Sequence, residues 1–170
     1  MDLKALNNVT KVIKERRSYR SYTKKDIPKE ILEEIIDCAR LAPSANNIQP
    51  WEFIVITDKQ KLKEISEITD YGKFIKDCAA CVVVVCKETK YYLEDGCAAT
   101  ENILIAAESF GIGSCWVAGD KKHYCERIMK LLGIPQEYKI VSIISLGYYD
   151  KKIMPHNKRE LKEVLHWNKF

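Results

Sequence analysis

A chain of 170 residues, 46% hydrophobic and 31% charged, has the size and composition of one folded domain that can bury a core. Its 28 basic and 24 acidic residues are spread along the chain and leave a net charge of only +4, which argues against a nucleic-acid partner. The longest apolar run, Cys78 to Cys86, is too short to span a bilayer, which takes about 20 residues, so no membrane partner is expected.

The N-terminus, Met1-Asp2-Leu3-Lys4, has no signal-peptide apolar core, so the expected location is cytoplasmic. Leu3, Leu6, Val9 and Ile13 recur at helical spacing and predict a helix over 3–15. It ends in Arg16-Arg17-Ser18-Tyr19-Arg20, which crowds three guanidiniums and a hydroxyl into five residues. Such a cluster is either a solvated basic turn or an oxyanion site, because the planar arginine fork donates two parallel hydrogen bonds to a phosphate. Pro28 to Leu41 predicts a second helix. Ile31, Leu32, Ile35, Ile36 and Ala39 share one face, and Lys29, Glu30, Glu33, Glu34 and Asp37 face away. Pro28 suits its first turn. The apolar face is core or dimer interface.

Pro43 ends that helix, since proline lacks the backbone donor and disfavours the helical region at the residue before it. Between Pro43 and Pro50 lie the small and amide side chains of Ser44, Ala45, Asn46, Asn47 and Gln49. They suit close approach to a flat polar ligand, or a plain connector. Trp51 to Thr57 reads as a strand. Thr57-Asp58-Lys59-Gln60 offers capping residues for a helix with Leu62, Ile65 and Ile68 inward. Tyr71 to Lys76 reads as polar surface.

Cys78 and Cys81 have C-x-x-C spacing, but a zinc site needs a second pair and none follows at suitable spacing. On a buried strand Cys81 and Cys86 point to opposite faces. The seven cysteines, an odd number, therefore read as structural thiols in a reducing compartment, and no metal is expected. Asp95 to Phe110 predicts a long helix with Ala99, Ile103, Ala106, Ala107 and Phe110 on its apolar side, stopped by Gly111 in the left-handed conformation. Ser114 to Gly119 reads as extended. Gly111-x-Gly113 is no dinucleotide fingerprint, because the third glycine is missing. Tyr124 to Leu132 reads as a short helix closed by Gly133 and Pro135, and Lys139 to Leu146 as a buried strand. Tyr148 to Asn157 is irregular, and Leu161, Val164 and Leu165 form a last amphipathic turn. His123, His156 and His166 lack metal spacing and read as solvated or packing residues.

Four landmarks occur in order: Arg16 to Arg20; Ala42 to Trp51, with the pattern A-P-S-x-x-N-x-Q-P-W; Gly111-Ile112-Gly113-Ser114-Cys115-Trp116; and Arg159. Together they resemble the FMN-dependent nitroreductase family, with residues 1–170 as a short, single-domain member. The resemblance implies an α+β fold, with a mixed, mainly antiparallel sheet flanked by helices, in a homodimer whose FMN sites are shared between subunits. It implies FMN contacts from Arg16, Arg17, Ser18 and Arg20, with Arg16 and Ser18 at the phosphate and ribityl end and Arg20 at the pyrimidine edge. Pro43, Ser44, Ala45, Asn47 and Gln49 would approach the flavin of the partner. The backbone of Ala118 and Gly119 would lie beside flavin N5, where many members carry a glutamate at the position of Ala118. Arg159, helped by Lys158, would meet the phosphate. Val164-Leu165-His166-Trp167 resembles a C-terminal arm that exchanges between subunits.

The implied activity is hydride transfer through N5 from NADH or NADPH to a nitroaromatic, quinone or related small electrophile, by ping-pong exchange in one pocket. Larger members insert helices near mid-chain. The shorter stretch here implies a more open channel or one lined by the partner, with Tyr71, Lys73 and Phe74 as candidates to line it. The alternatives are a flavin-binding sensor or storage protein without turnover, and another flavin reaction on the same fold, such as dehalogenation or flavin fragmentation.

Overall fold

The valine run from Val82 to Val85 forms the centre of a four-stranded sheet in a computed structural model that describes residues 8–170. The strands are β1 (Trp51–Ile56), β2 (Ala80–Lys87), β3 (Gly113–Ala118) and β4 (Tyr138–Gly147), in the order β1-β2-β4-β3. Their pairings are antiparallel. An isolated parallel bridge joins Ser18 to Ser114. The helices are α1 (Asn8–Glu15), α2 (Lys29–Arg40), α3 (Lys59–Ile68), α4 (Tyr92–Ser109) and α5 (Cys125–Leu132). This is the expected α+β fold.

β2 and β4 are buried on both faces, which explains why they read as continuous apolar runs rather than alternating ones. Val82, Val84, Cys86 and Ile144 pack with Leu32, Ile35, Ile103 and Ala107 of α2 and α4. Val83, Val85, Ile140 and Ile143 pack with Leu62, Ile65 and Ile128 of α3 and α5. Each such side chain contributes about 1.5–3 kcal/mol on burial. Cys81 belongs to the second core and Cys86 to the first, as the two-residue period of a strand requires.

Capping follows the sequence signals. The Asp58 carboxylate accepts from the Lys61 amide at 2.8 Å. Gly111 is left-handed at φ 69°, with the Ile112 amide donating to Ala107 O at 2.9 Å. Four expectations need amending. Phe110, expected on the apolar side of the long helix, lies just past its end at Ser109 and is 42% exposed. α4 begins at Tyr92 rather than Asp95, because the Tyr92 and Asp95 amides already bond back to Thr89 O and Tyr91 O. The stretch expected to be polar surface contains a 3-10 turn, Lys73–Asp77, in which Ile75 is fully buried and Phe74 packs on the second core. In α1, Val9 and Ile13 are 58% and 51% exposed, so that apolar stripe is only partly covered, with Val9 bordering a groove beside Cys38 and Ala106. Leu3 and Leu6, expected on the same stripe, lie outside the described residues.

Residues 154–170 are exposed throughout and, among the described residues, make their hydrogen bonds with one another, around a turn at Leu161–Glu163 closed by a Glu160–Glu163 capping box. Among the described residues, no helix is long and apolar enough to cross a membrane.

Candidate functional site

The segment from Ser18 to Tyr22 runs along the outer edge of β3. The Tyr19 amide donates to Ser114 O at 2.9 Å, and the Tyr22 hydroxyl donates to Tyr19 O at 2.6 Å while meeting Ser145 Oγ at 2.6 Å. The Tyr19 ring stacks on Tyr149 with centroids 3.8 Å apart. This packing needs bare backbone beneath it: a Cβ on Gly113 would fall 2.8 Å from both of those rings. A cleft of about 440 Å³ opens here, with Ser18, Arg20, Tyr149 and Lys151 among its walls. The larger groove of about 830 Å³ lies elsewhere, between α2 and β1, and none of the predicted site residues lines it.

Arg16, Ser18 and Arg20 converge on this edge. Burial raises the Cys115 thiol on β3, and the positive charge of Arg20, a hydrogen bond from Ser18 and the charge of Arg16 oppose that rise. Arg16 Nε also lies 3.8 Å from the Glu101 carboxylate of α4. Arg17 turns the other way. Its Nη1 donates to Lys14 O at 2.8 Å and Arg16 O at 2.7 Å, covering carbonyls at the end of α1 that have no helical partner.

At the far end of β3 the two predicted backbone donors differ. The Gly119 amide donates to Val141 O at 3.3 Å. In an antiparallel ladder adjacent residues alternate in direction, so Ala118 turns its N–H and C=O to the open side. Ser114, of the same parity, does likewise and accepts from Tyr19, and Ala118 O accepts from the Tyr124 hydroxyl. Ala118 is exposed and presents only a methyl group beside that amide. Gly119 is wedged against β4, where a Cβ would fall 2.6 Å from Ile140 Cγ2 and 2.7 Å from Ile140 O. Beyond it, the Tyr92 hydroxyl donates to Asp120 Oδ1 at 2.7 Å. That bond, then burial, pushes the Tyr92 phenol up to about 12, so it stays a protonated donor.

The loop from Pro43 to Gln49 is strained and self-bonded. Asn46, Asn47 and Gln49 have φ of 51°, 55° and 52°, the left-handed region that non-glycine residues rarely enter. Ser44 Oγ accepts from the Gln49 amide at 3.0 Å, Ser44 O from the Asn47 amide at 3.0 Å, and Ala45 O from the Ile48 amide at 3.1 Å. One further bond reaches outside the loop, from the Ala45 amide to Asp95 Oδ1 on α4 at 3.0 Å. Asn46 to Gln49 are exposed, and no residue of the loop lines the cleft beside Arg20. Asp95 escaped the sequence reading because its partner lies fifty positions away and no local pattern links them.

Lys158 and Arg159 lie on the exposed closing segment, and Arg159 Nη2 donates to Glu163 O at 2.5 Å. Neither borders the cleft. Tyr71 and Lys73 are exposed and Phe74 packs inward, so none of the three lines it either. Burial raises the Cys78 and Cys86 thiols to about 12, which leaves them neutral and poorly nucleophilic. Among the described residues, no group of three or more His, Cys, Asp or Glu side chains could hold a metal ion. His123 sits 3.6 Å from Asp70, and His166 stacks on Phe170.

The profile of the Nitroreductase family matches residues 13–77 and 87–148. A protein of Archaeoglobus fulgidus, provisionally named NADH dehydrogenase/NAD(P)H nitroreductase, is 42% identical over 145 residues, covering 81% of this chain and 83% of its own. The crystal structure of a similarly named protein from Bacteroides thetaiotaomicron superposes with a TM-score of 0.92 at 30% identity, covering 98% of this chain and 100% of its own. An FMN-dependent nitroreductase from Clostridium difficile superposes with a TM-score of 0.87 at 32% identity, covering 94% of this chain and 98% of its own. The pairing of a β3 edge rimmed by Arg16, Ser18 and Arg20 with these matches leads to one conclusion: the chain belongs to the nitroreductase family.

Proposed function

We propose that residues 1–170 form one FMN-binding domain of a homodimeric NAD(P)H oxidoreductase that reduces nitroaromatics, quinones or related small electrophiles. The observation that carries this reading is the outer edge of β3. It offers Arg16 and Arg20 near its start and the outward amide of Ala118 at its end, with the backbone of Ser114 and Ala118 about 13 Å apart along an extended strand. That donor set fits a phosphate at one end and the hydride-carrying edge of a flavin at the other. The FMN named for the Clostridium difficile relative and the NAD(P)H named for the Archaeoglobus relative support it.

Bound FMN supplies hydride transfer at N5. The chain's own residues do the rest. Arg16 and Ser18 bind the phosphate and ribityl end by charge-assisted hydrogen bonds. Arg20 brings positive charge to the pyrimidine edge. The Ala118 amide donates at N5, while Gly119 keeps its own amide in the β4 ladder and so fixes the strand end. The methyl of Ala118 leaves room for NAD(P)H and the acceptor to use one pocket in turn, which is ping-pong exchange.

The homodimer is supported by apolar side chains that one protomer leaves in solvent: Val9, Ile13, Ile48, Leu161, Trp167 and Phe170. In the dimer, Pro43, Ser44, Ala45, Asn47 and Gln49 reach the partner's flavin, and Lys158 and Arg159 join the phosphate once the closing segment docks. Arg17 serves this site indirectly, by holding the end of α1. The free cysteines suit a reducing cytoplasm.

Steady oxidation of NADH or NADPH by the FMN-loaded protein, with and without a nitroaromatic or quinone, tests the reading. Turnover that depends on the acceptor is expected. FMN binding with no turnover on any acceptor would favour a flavin sensor or storage protein.

A further inference from the structure

We propose that Asp95 is a positioning residue that holds the 43–49 loop in its flavin-facing shape, an inference that rests on the FMN site proposed above. Asp95 is 5% exposed, in the first turn of α4. Its Oδ1 accepts from the Ala45 amide at 3.0 Å. Its Oδ2 is buried and meets no hydrogen-bond partner among the described residues. A buried carboxylate oxygen without a partner carries a desolvation cost, which the Ala45 bond and the place of Asp95 in the first turn of α4 oppose. The turn that carries it cannot drift. A Cβ on the adjacent Gly96 would fall 2.6 Å from Val141 and 2.9 Å from Cys86, so α4 lies close against the sheet here.

The loop needs such an anchor. Asn46, Asn47 and Gln49 all hold positive φ, and strained backbone of this kind persists only where its surroundings over-determine it. The bonds to Ser44 and Ala45 run within the loop and would move with it. The Ala45–Asp95 bond ties it to a helix turn packed on the first core. It sits one residue before the first left-handed position, where a small change in direction carries every later side chain with it. Asp95 does not touch the flavin in this scheme; it acts through Ala45.

The test uses full-length protein titrated with FMN. Failure of the wild type to bind FMN would overturn the flavin site itself. With that binding in hand, Asp95→Ala is expected to weaken FMN by about tenfold or more and to alter the visible circular dichroism of the FMN-saturated protein, a signature that lost stability alone would not move. Asp95→Asn keeps an acceptor for Ala45 and is expected to stay within about threefold of wild type. Wild-type affinity and an unchanged spectrum in Asp95→Ala would overturn the proposal, and so would equal losses in the two variants. Should Asp95→Ala fail to fold, Asp95→Leu removes the acceptor from Ala45 while keeping a similar side-chain volume. Asp95→Leu carries the same expected loss, and wild-type affinity in it would overturn the proposal.

Discussion

Gly119→Ala places the smallest possible addition at the most tightly packed point of the site. The new Cβ would lie 2.6 Å from Ile140 Cγ2, 2.7 Å from Ile140 O and 2.9 Å from Val141 C. Carbon atoms in contact sit at about 3.5–4.0 Å, so the end of β3 must move by about 1 Å. Two of the three atoms are β4 backbone, which no rotamer change can relieve. Overpacking of this kind costs about 1–3 kcal/mol, and in a chain of this length each kcal/mol lowers melting by about 2–4 °C. Gly111→Ala is the control. Its Cβ meets nothing within 4 Å, and its φ of 69° makes the cost conformational, about 1 kcal/mol. Calorimetry of FMN-free protein followed by FMN titration separates the two. Gly119→Ala should melt below Gly111→Ala and bind FMN more weakly, because the Ala118 amide moves with the strand end. A Gly119→Ala protein that melts no lower than Gly111→Ala and binds FMN like wild type would refute the argument.

The arginines offer a second test. Arg16→Ala and Arg159→Ala should each weaken FMN by about 1.5–3 kcal/mol in isothermal titration, the scale of a charged hydrogen bond. Wild-type affinity in Arg159→Ala would remove the closing segment from the phosphate site. Trp167→Asp should shift a dimer toward monomer in sedimentation, since Trp167 is 78% exposed on one protomer; an unchanged dimer would take that segment out of the interface. The Tyr92 and Tyr124 phenols are raised to about 12, by the Asp120 bond first in Tyr92 and by burial in Tyr124. An unfolded tyrosine titrates near about 10. Folding therefore favours the protonated forms, and their contribution is complete below about pH 10 and is lost as pH rises from about 10 to 12. Urea midpoints should begin to fall above about pH 8.5, where the Cys78 and Cys86 thiols ionise in the unfolded chain but stay protonated in the fold, and Tyr92→Phe should flatten part of the further fall above about pH 10.

Periodicity made the helices and strands readable, because each buries one or two faces against a neighbour. Ile35 and Ile103 announce their helices, and the Val82–Val85 run announces a strand covered on both sides. Gly111 and Gly133 mark helix ends that need positive φ. What escaped was set by contacts distant in sequence. Ile75 is buried inside a stretch whose neighbours Lys73 and Lys76 look like surface, because Phe74 and Ile75 turn inward onto the second core. Arg17 has the same composition as its neighbours in the motif, yet the end of α1 captures it. Asp95 looked like a helix start, and its bond to Ala45 follows only once α4 is laid beside the loop. The motif residues showed what chemistry was present, whereas which amide of β3 stays open depended on strand parity.

The central claim is an FMN site completed by a second copy of the chain. The visible spectrum of freshly purified protein, with the pigment released by heat and identified, tests it most directly. Flavin absorption bands and about one released FMN per chain, on a particle sedimenting as a dimer, are the expected result. A colourless protein that also fails to take up added FMN would contradict the account and leave only the fold.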